Sequence, residues 1–301
     1  MDKGIDTAYH YTPGDGWKPG ELDFFTVPQK QFTAEEHDIW RTLYKRQLEV
    51  LPNRAIGMFM DSLSTLGINQ DRVPGFHEVN EILMKRTGWQ VVPVPGLIPD
   101  EPFFELLANR RFPCGNFMRT KDQLDYIQEP DIFHDLFGHV PLLADPVFGD
   151  YVEAFGRGGL KAAKLGTVDK LARLYWYTVE FGLIQEAEGL RIYGAGILSS
   201  PTESVFCLES DSPHRIKFNL KRVLQTHFQI DDFQDNYFIV DSFKQLFDET
   251  YNDFTPIYAE LAGKPEYEPG TLVKGDGVVH QGTGAYAVEA DKRRTRRRQQ
   301  Q

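Results

Sequence analysis

The chain has 301 residues, 41% of them hydrophobic, and a formal net charge of −11. That length suffices to bury a sizeable core in one large domain or two small ones, and the acidic balance argues against a nucleic-acid-binding body. Two cysteines, Cys114 and Cys207, are too few for a disulfide framework and fit a reducing compartment; no basic start followed by an apolar stretch marks a secretory leader, and no apolar run approaches the roughly 18 residues of a membrane span.

In chain order, residues 1–32 carry Pro13, Gly14, Gly16, Pro19 and Gly20 and read as an N-terminal arm. Thr33-Ala-Glu-Glu36 has the spacing of a capping box, which predicts a helix through Leu51. Pro52 interrupts it, and a second helix runs to Leu66. Phe76 to Arg86 predicts a third. The prolines of Trp89-Gln-Val-Val-Pro-Val-Pro-Gly-Leu-Ile98 predict an extended segment. Asp100 caps a short helix carrying Phe103, Phe104, Leu106 and Leu107. Phe117 to Tyr126 reads as irregular or strand-like.

In Glu129-Pro-Asp-Ile-Phe-His134-Asp-Leu-Phe-Gly-His139-Val-Pro141, Pro130 suits a first helical position and Asp131 the positive end of the helix. Gly138 suits the C′ position, and Pro141 blocks continuation. Residues i and i+5 of an intact α-helix lie ~140° apart, so a break at Gly138 is what would bring His134 and His139 together. Helices follow at about 145–164 and 168–187, the second capped by Thr167 and carrying Glu180. Residues 190–230 mix extended segments and turns, and a last amphipathic helix covers roughly 240–261, from Val240 to Leu261. From Gly263 apolar periodicity stops, and 263–301, ending in Lys292-Arg-Arg-Thr-Arg-Arg-Arg298, reads as a disordered tail. Residues 33–262 then form a single domain, mainly α with a few short strands (α+β).

Glu180 is the only charged residue of Leu174-Tyr-Trp-Tyr-Thr-Val-Glu-Phe-Gly-Leu-Ile184. A carboxylate in such company needs a cationic partner or protonates. Together with His134 and His139 it makes the ligand set of a facial-triad iron(II) site, which leaves positions open for oxygen chemistry. From the residues alone a second reading stands beside this one, a helix-end histidine pair plus a core glutamate bonded to a tyrosine. Zinc is the competing metal.

Three motifs in order, Pro130 to Pro141, Tyr175-Trp-Tyr-Thr-Val-Glu180-Phe-Gly-Leu183, and Tyr193-Gly-Ala-Gly-Ile-Leu-Ser-Ser200, resemble the tetrahydropterin-dependent aromatic amino-acid hydroxylases. The resemblance covers roughly residues 70–260 and is strongest to the short bacterial members. It implies that family's catalytic-domain fold and iron(II) on His134, His139 and Glu180. It implies an arginine clamp, Arg119, for the amino-acid carboxylate, aromatic walls at Trp176 and Phe181, and polar support from Ser199 and Glu203. For the pterin it implies stacking on Phe103, with Phe104 as competitor, backbone contacts from Gly96, Leu97 and Ile98, and Asp135 where glutamate is usual. The shorter side chain there would need a bridging water, and Ile127 departs from the threonine of animal members.

The implied reaction is hydroxylation of L-phenylalanine at the para carbon to L-tyrosine, with O2 as co-substrate and the reduced pterin supplying two electrons. Tryptophan is the alternative ring. The expected enzyme is cytoplasmic, with no nucleic-acid or membrane partner, and a monomer or at most a weak dimer; the N-terminal segment is too short for a regulatory domain, and the tail has no heptads. A 2-oxoglutarate-dependent oxygenase also uses two histidines and a carboxylate, but commonly as His-x-Asp and a distant His on a β-barrel, unlike this mostly helical chain. A non-catalytic metal- or pterin-binding module is the remaining rival; a structural site would be closed by a fourth protein ligand, and none is obvious.

Overall fold

Thr33 opens the first helix as its spacing predicts. In the computed structural model, which describes the backbone of residues 27–299 and the side chains of 27–292, its hydroxyl accepts from the Glu36 amide at 3.3 Å while the Glu36 carboxylate accepts from the Thr33 amide at 2.8 Å. Helix α1 (Ala34–Val50) buries Ile39, Trp40 and Leu43. Helices α2 (Gly57–Thr65) and α3 (Phe76–Thr87) follow, the latter stopped by Gly88 at φ 77°. Strand β1 (Gln90–Val94), helix α4 (Asp100–Ala108) and strand β2 (Arg111–Gly115) form a parallel βαβ unit. Its sheet has two strands, both of them edges, which is why Pro93 and Pro113 are tolerated within it. Strand β2 is not anticipated by the sequence pattern, and 117–126 contains a short 3₁₀ turn, Lys121–Gln123.

A π-helix, Phe133–His139, passes into a 3₁₀ turn, Val140–Ala144. Asp145 then caps α5 (Pro146–Leu165) by accepting from the Phe148 amide at 2.9 Å. Helix α5 packs on α4 through glycines: a Cβ at Gly159 would stand 2.1 Å from the Phe104 ring, and one at Gly156 2.4 Å from the Ala108 amide. Helix α6 (Val168–Tyr175) continues into a second π-helix, Trp176–Glu180. The helix expected over 168–187 therefore ends at Glu180, because Gly182 passes against Tyr193, where a Cβ would meet the ring at 2.1 Å. Thr167 precedes α6 without a side-chain cap bond.

The remaining elements are β3 (Leu183–Glu186), β4 (Gly189–Ile192), α7 (Ala195–Leu198), α8 (Pro201–Glu209), β5 (His214–Lys217), α9 (Leu220–Leu224), β6 (Asn236–Val240), α10 (Phe243–Thr250), α11 (Thr255–Leu261), β7 (Val278–His280) and α12 (Ala285–Gln299). Residues 190–230 are thus more helical than expected. The helix expected over 240–261 divides: Val240 closes β6, Ser242 caps α10 with a 3.0 Å bond from Gln245, and the chain breaks again before α11. The five strands of the second sheet lie in the order β4-β3-β6-β5-β7, parallel at β3/β6 and β5/β6 and antiparallel at its two ends. The fold is mainly α with a few short strands.

Residues 263–292 depart from the expected disorder. Strand β7 pairs with β5, Tyr267 bridges to Thr226, and Asp276 meets the buried Arg222. These attachments are backbone bonds and ion pairs, which leave no apolar periodicity to read. Most of the expected N-terminal arm lies outside the described residues; its end is extended, with Val27 donating to the Pro93 carbonyl at 2.9 Å. Among the described residues no helix is long and apolar enough to cross a membrane.

Candidate metal centre

Both segments that carry the three candidate ligands are π-helical. The Val140 amide donates to the Asp135 carbonyl, and the Phe181 amide to the Trp176 carbonyl at 2.9 Å, each an i→i+5 bond. In such a turn residues five apart sit one above the other, which is the separation of His134 and His139. The expected break at Gly138 does not occur; Gly138 stays helical, and it must be glycine because a Cβ there would stand 2.9 Å from the Ala195 carbonyl. Phe133 and Phe137 anchor the turn in the core, stacked on each other at 4.7 Å and edge-on to Trp40, Tyr44 and Phe59.

The Nε2 atoms of His134 and His139 approach to 3.1 Å. Glu180 faces both, with Oε1 at 3.1 Å from His139 Nε2 and Oε2 at 3.5 Å from His134 Nε2. Three donor atoms therefore converge on one point. The far nitrogen of His134 is also accounted for. Ser199 Oγ lies 2.8 Å from the Ala195 carbonyl and 2.9 Å from His134 Nδ1. The carbonyl can only accept, so the single hydroxyl proton goes there. Ser199 must then accept from His134 Nδ1–H, which sets the tautomer that leaves the Nε2 lone pair for a metal.

Burial lowers the His134 pKa to about 4, with Glu180 opposing and His139 adding to the fall. Burial also works against the His139 cation, but the Glu180 carboxylate and Asp135 outweigh it and the net direction is up. For Glu180 burial favours the neutral form, and the two histidines overcome it, so its pKa falls. Asp135 is a second carboxylate nearby, with one ligand atom from each of His134, Asp135 and His139 lying within 4.8 Å of the others. Its Oδ2 accepts from the Gly115 amide at 2.7 Å, and burial raises its pKa to about 7. Of the two carboxylates Glu180 is the better placed candidate, because its two oxygens face the two Nε2 atoms while Asp135 gives one oxygen to β2. Two imidazoles and one carboxylate fit iron(II).

Arg119 is buried and forked onto Asp131, Nε to Oδ2 and Nη2 to Oδ1, both at 2.9 Å. Asp131 also accepts from the Arg119 and His134 amides at 3.0 Å, tying the arginine to the start of the ligand helix. Trp176 stacks on Phe228 at 4.4 Å, meets the buried Phe181 at 4.7 Å with a 36° tilt, and donates to Gln234 at 2.9 Å. Glu203 is buried and accepts from the Tyr237 hydroxyl at 2.7 Å; burial raises its pKa to about 7.

Phe103 is half-buried and linked by edge contacts to Tyr175, which stacks near His139. Phe104 is core, against Phe155. Leu97 donates its amide to Glu129 at 3.3 Å, Ile98 is buried, and a Cβ at Gly96 would meet the Glu129 carboxylate at 2.5 Å. A half-buried ring beside a backbone edge suits a flat heteroaromatic.

Sequence reasoning took Asp131 for a helix-start residue and missed it as the partner of Arg119, although it stands inside the motif. Gln234 and Tyr237 carried no local signal.

The profile of the biopterin-dependent aromatic amino acid hydroxylases matches residues 17–260. The phenylalanine-4-hydroxylase of Ralstonia nicotianae is 59% identical over 256 residues, 85% of this chain and 82% of that protein. That of Chromobacterium violaceum is 56% identical over 260 residues, 86% of this chain and 88% of that protein. The crystal structure of the Chromobacterium violaceum enzyme bound to cobalt superposes with a TM-score of 0.83 at 56% identity, over 85% of this chain and 93% of that one. A structure with bound oxidised Fe(III) also gives 0.83.

Proposed function

The chain belongs to the biopterin-dependent aromatic amino acid hydroxylases, and on that premise we propose that it is an iron(II)- and tetrahydropterin-dependent monooxygenase that converts L-phenylalanine to L-tyrosine with O2. The observation that carries this reading is the convergence of His134 Nε2, His139 Nε2 and the Glu180 carboxylate. When bound, iron and reduced pterin supply the oxidising chemistry.

The protein's own part is holding and orienting. Ser199 fixes the His134 tautomer through Nδ1. Arg119 is held by two of its nitrogens on Asp131, and among the described residues its Nη1 makes no hydrogen bond, which suits it to a substrate carboxylate. Trp176 and Phe181 offer an aromatic wall, and Glu203 supports that wall by accepting from the Gln234 amide at 3.4 Å. Phe103 offers a face to the pterin, Gly96, Leu97 and Ile98 its backbone edge, and Asp135 the oxygen that Gly115 does not engage. The enzyme is read as a cytoplasmic monomer without a nucleic-acid or membrane partner, supported by the net charge of −11 and by two buried free thiols.

Anaerobic reconstitution with iron(II), followed by tetrahydropterin, O2 and either L-phenylalanine or L-tryptophan, tests the reading. Stoichiometric tyrosine is the expected product. Pterin oxidation with tryptophan hydroxylated in preference would replace the substrate, and no hydroxylated product at all would sink the proposal.

A further inference from the structure

The C-terminal segment sets one aromatic side chain, Tyr286, against Phe206 and Phe233, next to the chain that leads into β6. Thr283 and Gly284 donate their amides to the Asp211 and Ser212 carbonyls at 2.9 and 3.0 Å, and Tyr286 donates its own to Ser212 Oγ at 2.8 Å. The segment lies so close that a Cβ at Gly282 would stand 2.1 Å from the Ser212 carbonyl. From this footing the Tyr286 hydroxyl donates to Asp232 Oδ1. Its ring stacks on Phe233 at 5.2 Å with a 27° tilt, and Phe233 in turn meets Phe206 of α8 at 4.6 Å.

Asp232 and Phe233 lead directly into Gln234, which is 2% exposed. Gln234 is a joint with four bonds. Its Oε1 accepts from Trp176, its amide N–H donates to Glu203, and its Nε2 donates to the Gln229 and Asp232 carbonyls at 2.9 and 3.2 Å. A displacement of 232–234 therefore moves the hydrogen bond that the Trp176 indole makes to Gln234.

We propose that Tyr286 is a positioning residue for substrate binding: it clamps the 229–235 loop, and through Gln234 the loop holds Trp176 in place. The inference rests on the reading above that Trp176 lines the amino-acid pocket. It makes the C-terminal segment part of substrate selection, although no residue of that segment is among the candidate ligands or pocket residues.

The test uses the full-length iron-loaded enzyme with Tyr286→Ala and Tyr286→Phe. In Tyr286→Ala the phenylalanine KM rises about tenfold while kcat and iron content stay within about twofold, the signature of lost binding without lost chemistry. Amide hydrogen exchange over 229–235 quickens in the same variant. Tyr286→Phe restores the ring stack and recovers most of both effects. Unchanged KM with unchanged exchange would overturn the proposal. So would a joint fall of kcat, iron content and melting temperature, which marks a merely structural residue. If the parent protein makes no tyrosine, the functional reading fails; the clamp then stands or falls on the exchange measurement alone.

Discussion

Two buried arginine–aspartate pairs, one in the metal cradle and one in the C-terminal segment, look alike and are employed differently. Arg119 and Asp131 have side chains 6% and 0% exposed, and Arg222 and Asp276 6% and 3%. Arg222 spends its donors inside the protein, on Asp276, Thr226 and Thr271, and lies over Tyr267 at 4.7 Å. It is a structural tie between α9 and a segment with little apolar surface. In the other pair the aspartate is the saturated member: Asp131 collects two guanidinium bonds and two backbone amides, and Arg119 keeps Nη1 outside that network. A buried ion pair is by itself weak evidence of purpose. What separates the two is which partner has hydrogen-bonding capacity left.

The largest expected effect lies in the cradle. Replacing His134, His139 or Glu180 with alanine removes one of the three proposed ligands, and bound iron and tyrosine formation should both drop by more than about a hundredfold. Retention of full iron content in any one variant would remove that residue from the ligand set.

Next come the two arginine pairs, which sharpen the comparison. Arg119→Ala leaves Asp131 buried without its counter-ion and should cost about 3–5 kcal/mol of stability, together with a raised phenylalanine KM. Arg119→Lys keeps the charge and loses the fork, so more of the fold survives than of the KM. Asp276→Ala leaves Arg222 its bonds to Thr226 and Thr271 and should cost about 2–4 kcal/mol with KM unchanged. Thermal melts with steady-state kinetics separate these outcomes. A KM change in Asp276→Ala, or none in Arg119→Ala, would erase the distinction.

A smaller effect is expected at Ser199. Ser199→Ala removes the acceptor for His134 Nδ1–H and should weaken iron binding about 10–100-fold without removing a ligand. Iron titration of the apoprotein measures it. The smallest concerns Glu266, which meets Arg173 at 2.8 Å and also pairs with Lys170, joining the C-terminal segment to α6. The hydrogen bond from Arg173 leads in lowering its pKa to about 2 from 4.5, against burial and with Lys170 helping. A carboxylate lowered in the folded state stabilises it fully above its unfolded pKa and loses that contribution as pH falls through the folded one. Glu266→Gln should therefore cost on the order of 1 kcal/mol at neutral pH, after allowance for solvent screening. The difference between parent and variant should close as pH falls from about 4.5 toward 2; a gap that persisted at pH 2 would remove the carboxylate charge from the account.

What could be read from the chain alone was local. Thr33 and Glu36 are three residues apart, so their capping box needs no tertiary partner. Glu180 stood out as the lone charge in an apolar run, and the two histidines as its counterpart, because desolvating an unpaired carboxylate is costly wherever the chain places it. The geometry that joins them was not local. The π-turn between His134 and His139 depends on Phe133 and Phe137 seating against α1 and α2 and on Gly138 passing the Ala195 carbonyl. Asp131 acquired its role only when β2 and the loop after it delivered Arg119 twelve residues upstream. The C-terminal segment departs from its expected disorder because strand pairing, ion pairs and the Tyr286 ring contacts hold it to distant parts of the chain. Such contacts depend on where Ser212, Arg222 and Phe233 stand in space, and a hydrophobic period along the chain carries none of that information.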